Sequence, residues 1–237
     1  MRLFAIGDLH MDGGDDKPMD VVGPQWDRHF LRISENWRRL VSEEDVVLIP
    51  GDISWAMQLE NAIPDLRAIG ELPGRKILCK GNHEYWWSSI SRVRQALPEG
   101  MTALQHDAAD LGPCVVCGTR GWSFPTERGE LGEDDERICR REVQRLNLAL
   151  DDAERIGAGK PIIVMLHFPP LLVSDMNTVF TETLEARKDV ATVVYGHLHG
   201  ASLANGFEGE HRGIRYVPVS CDGLDFCPKE IPWPHIS

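Results

Sequence analysis

YGHLHG, residues 195–200, ends the apolar run VATVVY with two histidines, His197 and His199, set two positions apart and bracketed by glycines. In an extended or turning segment, positions two apart point the same way, so both rings can face one site. The glycines let the backbone turn tightly beside them. Working outward, other apolar runs end in a similar way. LFAI (3–6) leads into GDLH, with Asp8 and His10. VVLI (46–49) leads into PGD, with Asp52. KILC (76–79) leads into KGNHE, with Asn82, His83 and Glu84. IIVML (162–166) leads into His167, and VVCG (115–118) into GTRGW, with Arg120.

The length and β-branched content of these runs predict buried strands. Helical patterns lie between several of them, over 26–41, 62–70, 86–97 and 133–156. The first carries Phe30, Ile33, Trp37 and Leu40 on one face. The last carries a stripe of Cys139, Val143, Leu146, Leu150 and Ala153, which suits a core-facing surface helix or a seat for a partner helix. The alternation predicts α/β layers. In open α/β sheets, ligands gather outside the carboxyl ends of the strands, where the Asp, Asn and His groups fall.

Composition narrows the function classes. The chain has 237 residues, 42% of them hydrophobic, enough for a sizeable core without disulfides. Its 25 basic and 37 acidic residues give a net charge of −12, which disfavours a broad nucleic-acid or anionic-membrane surface. A phosphorylated substrate stays open, because bound cations can neutralise part of the acid. MRLFAIGDLH lacks the long apolar stretch and cleavage site of a secretory leader. No apolar run approaches the roughly 18 residues of a membrane span, so a soluble cytoplasmic protein is expected. The six cysteines lie largely in apolar contexts and read as free buried thiols. Cys114 and Cys117 form a C-x-x-C with no second pair, a weak signal for zinc.

Two aspartates, one asparagine and four histidines form a mixed oxygen and nitrogen donor set. It suits manganese, iron or zinc better than calcium, and the absence of thiolate disfavours a structural zinc. Seven side chains exceed one ion's needs but suit two, if one carboxylate bridges. Two divalent ions about 3.5–4 Å apart can clamp the attacking and leaving oxygens of a phosphoryl displacement.

D-x-H, GD, GNHE, a single His and GHLH, in that order, resemble the calcineurin-like metallophosphoesterases over roughly residues 3–199. The resemblance implies a four-layer α/β/β/α sandwich of two mixed sheets, in one domain spanning 1–237. It implies a binuclear site at the edge of the sheets. Carried over by motif, Asp8, His10, Asp52 and His199 would hold one ion. Asp52, Asn82, His167 and His197 would hold the other, with Asp52 bridging. His83 matches the family's catalytic histidine. The implied activity is hydrolysis of a small phosphomonoester or phosphodiester by a metal-activated water.

One departure stands out. The family's Ser/Thr protein phosphatases follow the GD with an Asp-Arg pair that orients the catalytic histidine. Here the run is GDISWAM, with Trp55 in the Asp position, which weakens that subfamily reading. Arg120 is a candidate phosphate clamp or an ordinary turn arginine. Trp55, Trp86, Trp87 and Trp122 either wall a pocket or pack beneath the loops. Residues 11–25 are a candidate flap or a plain surface loop. A non-catalytic scaffold and a nuclease remain as rival classes. All expected ligands are present, against the first, and no basic or added nucleic-acid module appears, against the second.

Overall fold

The structure is a computed structural model that describes residues 1–14, 19, 23–125 and 129–234. Its strands are β1 (Leu3–Ala5), β2 (Val46–Pro50), β3 (Arg75–Cys79), β4 (Met101–Ala103), β5 (Ala108–Asp110), β6 (Val115–Thr119), β7 (Ile162–Leu166), β8 (Val190–Tyr195), β9 (Gly209–His211), β10 (Ile214–Pro218) and β11 (Lys229–Ile231). The helices are α1 (His29–Leu40), α2 (Leu59–Gly70), α3 (Ile90–Ala96), α4 (Glu133–Gly157) and α5 (Val179–Glu185). One sheet runs β11-β1-β2-β3-β4, the other β5-β6-β7-β8-β10-β9. β1 to β4 pair in parallel, as do β6, β7, β8 and β10, while β11, β5 and β9 join antiparallel at the edges.

Each central strand buries both faces, and its side chains alternate between two cores. Leu3, Ala5, Val46, Leu48, Ile77 and Cys79 point to the layer between the sheets, where they meet Val116, Ile163, Met165 and Val194. Phe4, Val47, Ile49 and Leu78 point the other way, into a core shared with Ile33 and Trp37 of α1 and Leu66 of α2. On the far side Cys117, Val164, Leu166 and Tyr195 meet Leu146 and Leu150 of α4 and Phe180 of α5. The result is a four-layer α/β/β/α sandwich. The α4 stripe is therefore core-facing. It also includes Glu142, a fully buried charge that the apolar pattern did not announce.

All six expected strands and four expected helices are present. The additions are short or late: β4, β5, β9, β10, β11 and α5. The α5 start is held by Thr178, whose hydroxyl accepts from the Phe180 and Thr181 amides, while the Thr181 hydroxyl accepts from the Thr178 amide. The proline-rich tail contributes β11, seated antiparallel on β1. Of the 11–25 flap candidate, residues 15–18 and 20–22 lie outside the described residues.

Candidate metal centre

β1, β2, β3, β7 and β8 end on one edge of the sandwich, and each delivers its group there. The turns are sharp. Asp8, His10, Asp52 and His197 all adopt positive φ, at 59°, 42°, 52° and 75°. Asp and His tolerate this left-handed region better than most residues, but it is uncommon outside glycine, and it gathers at functional sites. Glycines complete the approach. A Cβ at Gly196 would meet the Asp8 carboxylate, and one at Gly81 would meet both the Asp52 carboxylate and its amide.

The seven donors form one connected cluster. Asp52 Oδ2 lies 3.4 Å from His167 Nε2, 3.8 Å from His10 Nε2 and 3.9 Å from His83 Nε2. Asp8 Oδ1 lies 3.6 Å from His199 Nε2 and 3.8 Å from His167 Nδ1. Asn82 Oδ1 joins His167 Nε2 at 2.7 Å and His197 Nδ1 at 3.0 Å. Two sets of side chains, Asp8 with His10 and His199, and Asp8 with Asp52 and His167, bring their donor atoms close enough to hold an ion.

Hydrogen bonds fix which ring nitrogen faces inward. The Nδ1–H of His167 donates to the Pro50 carbonyl at 3.1 Å, which turns Nε2 toward Asn82 and Asp52. The Nδ1–H of His199 donates to Asp222 at 2.9 Å, which turns Nε2 toward Asp8. That nitrogen stands 3.2 Å from His10 Nε2. Two imidazole nitrogens directed at one point, beside two buried carboxylates, fit a cation between them. The donor set and its burial therefore suit divalent ions.

The electrostatics agree. Burial and the neighbouring Asp8 charge push Asp52 up to about 8. Burial works against the Asp8 carboxylate too, but the His199 hydrogen bond and the nearby imidazoles hold it well below its ordinary value. Burial lowers His10, His83 and His167, and takes His197 down to about 4. His199 goes the other way, to about 10, because its bonds to Asp222 and Asp8 outweigh burial. Burial and close carboxylate–imidazole coupling thus shift every titratable member of the cluster, Asp8 and His199 toward their charged forms and the rest away from them, a pattern that gathers at functional sites.

The sequence reading did not assign Glu84, Asp222 or Trp26 a part here. Glu84 is fully buried and accepts the amides of Asp52 (3.0 Å), Ile53 and Gly81 (2.5 Å), tying the PGD turn to the GNHE turn. Its place inside GNHE was the one available signal. Asp222 follows the last long strand, β10, with no motif around it. Trp26 packs edge-on to His10 and His199. Among the four tryptophans noted, Trp86 and Trp87 are buried packing residues. Trp55 stacks on His10 with centroids 5.0 Å apart, and Trp122 lies against Phe168. Arg120 makes no hydrogen bond to the cluster's side chains among the described residues. Its guanidinium pairs with Glu142 at 3.3 Å and lies over the Trp122 ring. Its carbonyl accepts the amides of His167 and Phe168. Cys114 and Cys117 are buried, and burial pushes the Cys114 thiol up to about 12, away from thiolate ligation.

Among the described residues, no helix is long and apolar enough to cross a membrane. A phosphopantetheinyl hydrolase from Mycobacterium tuberculosis shares the fold, with a TM-score of 0.60 at 16% identity, over 98% of this chain and 95% of that one. A protein of unknown function from Aquifex aeolicus aligns at a TM-score of 0.47 and 14% identity, over 97% and 95% of the two chains. No curated protein matches the sequence. The sequence profile of the calcineurin-like phosphoesterases matches residues 1–201, all five strand-end motifs among them, and the chain belongs to that family.

Proposed function

We propose that this chain is a binuclear metal-dependent hydrolase of small phosphoesters, one domain carrying the whole activity. Asp8, His10, Asp52 and His199 would hold one ion, and Asp52, Asn82, His167 and His197 the other. The observation that carries this reading is the position of Asp52 Oδ2, within 3.9 Å of nitrogens on His10, His83 and His167. Manganese, iron and zinc all suit the donor set. When bound, the ions supply Lewis-acid charge and an acidified water near neutral pH.

The chain's own residues do the rest. Asp222 and the Pro50 carbonyl hold the His199 and His167 rings so that Nε2 faces inward. Glu84 pins the two turns that carry Asp52 and Asn82. The His83 ring is partly exposed, and burial lowers its basicity, so it is a neutral N–H donor at pH 7. It would steady the leaving or phosphoryl oxygen as charge builds there. Beside His197, a cavity of about 210 Å³ lined by Trp122, Phe168, Leu172 and Leu198 would seat the organic part of a small substrate. The free cysteines suit a reducing, cytoplasmic setting. Trp55 in place of an acidic partner for His83 counts against a Ser/Thr protein phosphatase.

The test is hydrolysis of p-nitrophenyl phosphate and bis-p-nitrophenyl phosphate by Mn²⁺-loaded protein, with His83→Ala alongside. The expected result is turnover of at least one ester that His83→Ala reduces about 10²-fold or more. A faster diester rate assigns a phosphodiesterase, and a faster monoester rate a phosphatase. Turnover of neither ester above the variant's rate would replace the enzyme reading with a non-catalytic scaffold.

A further inference from the structure

Next to the histidine and carboxylate cluster is a second polar cavity, of about 290 Å³. Lys80, Arg120, Arg141 and Arg145 line it, against a single carboxylate, Glu142. Glu142 is fully buried and already engaged. It accepts from the Thr119 hydroxyl at 2.9 Å, Arg145 at 2.6 Å and Arg120 at 3.3 Å. Among the described residues, no other carboxylate lines the cavity. The Lys80 ammonium donates to the Trp87 carbonyl at 3.2 Å. Arg141 is exposed and makes no ion pair among the described residues. Arg120 Nε is buried without a hydrogen-bond partner among the described residues.

This concentration of cations stands out in a chain of net charge −12. Like charges crowded around one cavity repel, and the single charge of the buried Glu142, which Arg120 and Arg145 already answer, does not call for four cations. Guanidinium forks match phosphate oxygens bidentately, and an ammonium adds a point charge. Two of its lining residues are tied through the backbone to the metal centre. Lys80 directly precedes Gly81 and Asn82, and the Arg120 carbonyl accepts the amides of His167 and Phe168 at 3.0 Å each.

We propose that this cavity binds a phosphate-type oxyanion, through Arg120, Arg141, Arg145 and Lys80, as a second phosphate site beside the metal centre. This rests on the phosphoesterase reading only for its biological source, which is either a second phosphate on the substrate or free inorganic phosphate.

The first measurement is calorimetric titration of inorganic phosphate into chelator-stripped protein at constant ionic strength. The proteins compared are the unaltered chain, Arg141→Gln, Arg145→Gln and, as a control, Arg140→Gln. Arg140 pairs with Glu136 outside this cavity, and Arg141 makes no ion pair among the described residues whose loss would unsettle the fold. The expected result is saturable binding, weakened about tenfold by Arg141→Gln, a loss of about 1.4 kcal/mol, and unchanged in Arg140→Gln. No saturation by about 10 mM phosphate, where even a millimolar site would fill, overturns the proposal. Equal weakening in the Arg140→Gln control overturns it too. The titration needs no turnover, so it stands or falls apart from the hydrolase reading.

The second measurement separates the sources. KM values for fructose 1,6-bisphosphate and fructose 6-phosphate are compared on Mn²⁺-loaded protein, with and without Arg141→Gln. A lower KM for the bisphosphate that Arg141→Gln erases supports the site with a substrate phosphate as its ligand. Phosphate binding in the titration without that preference supports it with the free ion.

Discussion

The Trp55 and His83 rings stand 4.1 Å apart, centroid to centroid, with their planes tilted by 49°. Trp55 also stacks on His10 at 21° between planes, so its indole packs against both a candidate ligand and the candidate catalytic histidine. His83 Nδ1 is buried with no hydrogen-bond partner among the described residues. The ring is therefore aimed by packing rather than by a carboxylate. Trp55→Ala should lower kcat by about 10–100-fold with KM nearly unchanged, the cost of a mis-aimed group. Trp55→Phe should recover part of that loss. Steady-state kinetics of both variants check this, and an unchanged kcat in Trp55→Ala would remove Trp55 from the positioning of His83.

Asp222 accepts from His199 Nδ1 at 2.9 Å and from the Gly200 amide at 2.9 Å. Removing its charge weakens the hold on the His199 ring and the basicity of Nε2. Asp222→Asn should weaken metal affinity by about 10–100-fold, as outer partners of ligating histidines generally do. Competition with a fluorescent chelator measures it. Affinity equal to the parent's would mean that Asp222 serves the backbone turn alone.

Gly196 lies where an added Cβ would run into the Asp8 carboxylate. Gly196→Ala should displace Asp8, and the bound metal should fall below two ions per chain by elemental analysis. The midpoint of thermal unfolding in excess Mn²⁺ should fall toward the chelated value, because ligand stabilisation follows binding. Two retained ions would show that the Asp8 turn yields without losing its grip.

Asp45 reports on pH away from the site. It is 2% exposed and accepts from the Arg2 amide at 2.6 Å, the Ser42 amide at 2.9 Å and the Arg2 guanidinium at 3.0 Å. Burial raises its pKa, but these bonds outweigh it and hold the carboxyl below its ordinary 3.8. A depressed folded-state pKa means stabilisation that is full above the unfolded value and lost as pH falls through the folded one. Asp45→Asn should therefore cost about 1–3 kcal/mol at pH 7. The gap between variant and parent should shrink below about pH 3.8. Denaturant unfolding across pH 3 to 7, within the roughly ±10–15% precision of extrapolation, measures it. A gap that does not change with pH would assign the effect to geometry instead of charge.

The seven candidate ligands and His83 were legible in the sequence because each follows a buried strand directly. A strand buried on both faces shows as an unbroken apolar run, and a polar group at its carboxyl end cannot continue it. Strands β1, β2, β3, β6, β7 and β8 and helices α1 to α4 were legible for the same reason, since their apolar patterns report burial. β4, β5, β9 and β11 span three residues each, too short for a periodicity to show. Seven-residue α5 depends on the Thr178 cap and its seat against the six-stranded sheet.

The sequence by itself determined which groups arrive at the strand ends and what chemistry they can support. Strand order, and with it everything that crosses between the sheets, was decided only in three dimensions. Asp8 and His197 are 189 positions apart, yet the His197 amide donates to the Asp8 carboxylate at 3.0 Å. Glu84 as the clasp of two turns, Asp222 behind His199, Trp55 against His83, and Thr119 and Arg120 on the buried Glu142 are all contacts of this kind. A one-dimensional pattern records whether a residue is buried and how often. It does not record which distant residue it meets, because that depends on how the layers pack against one another.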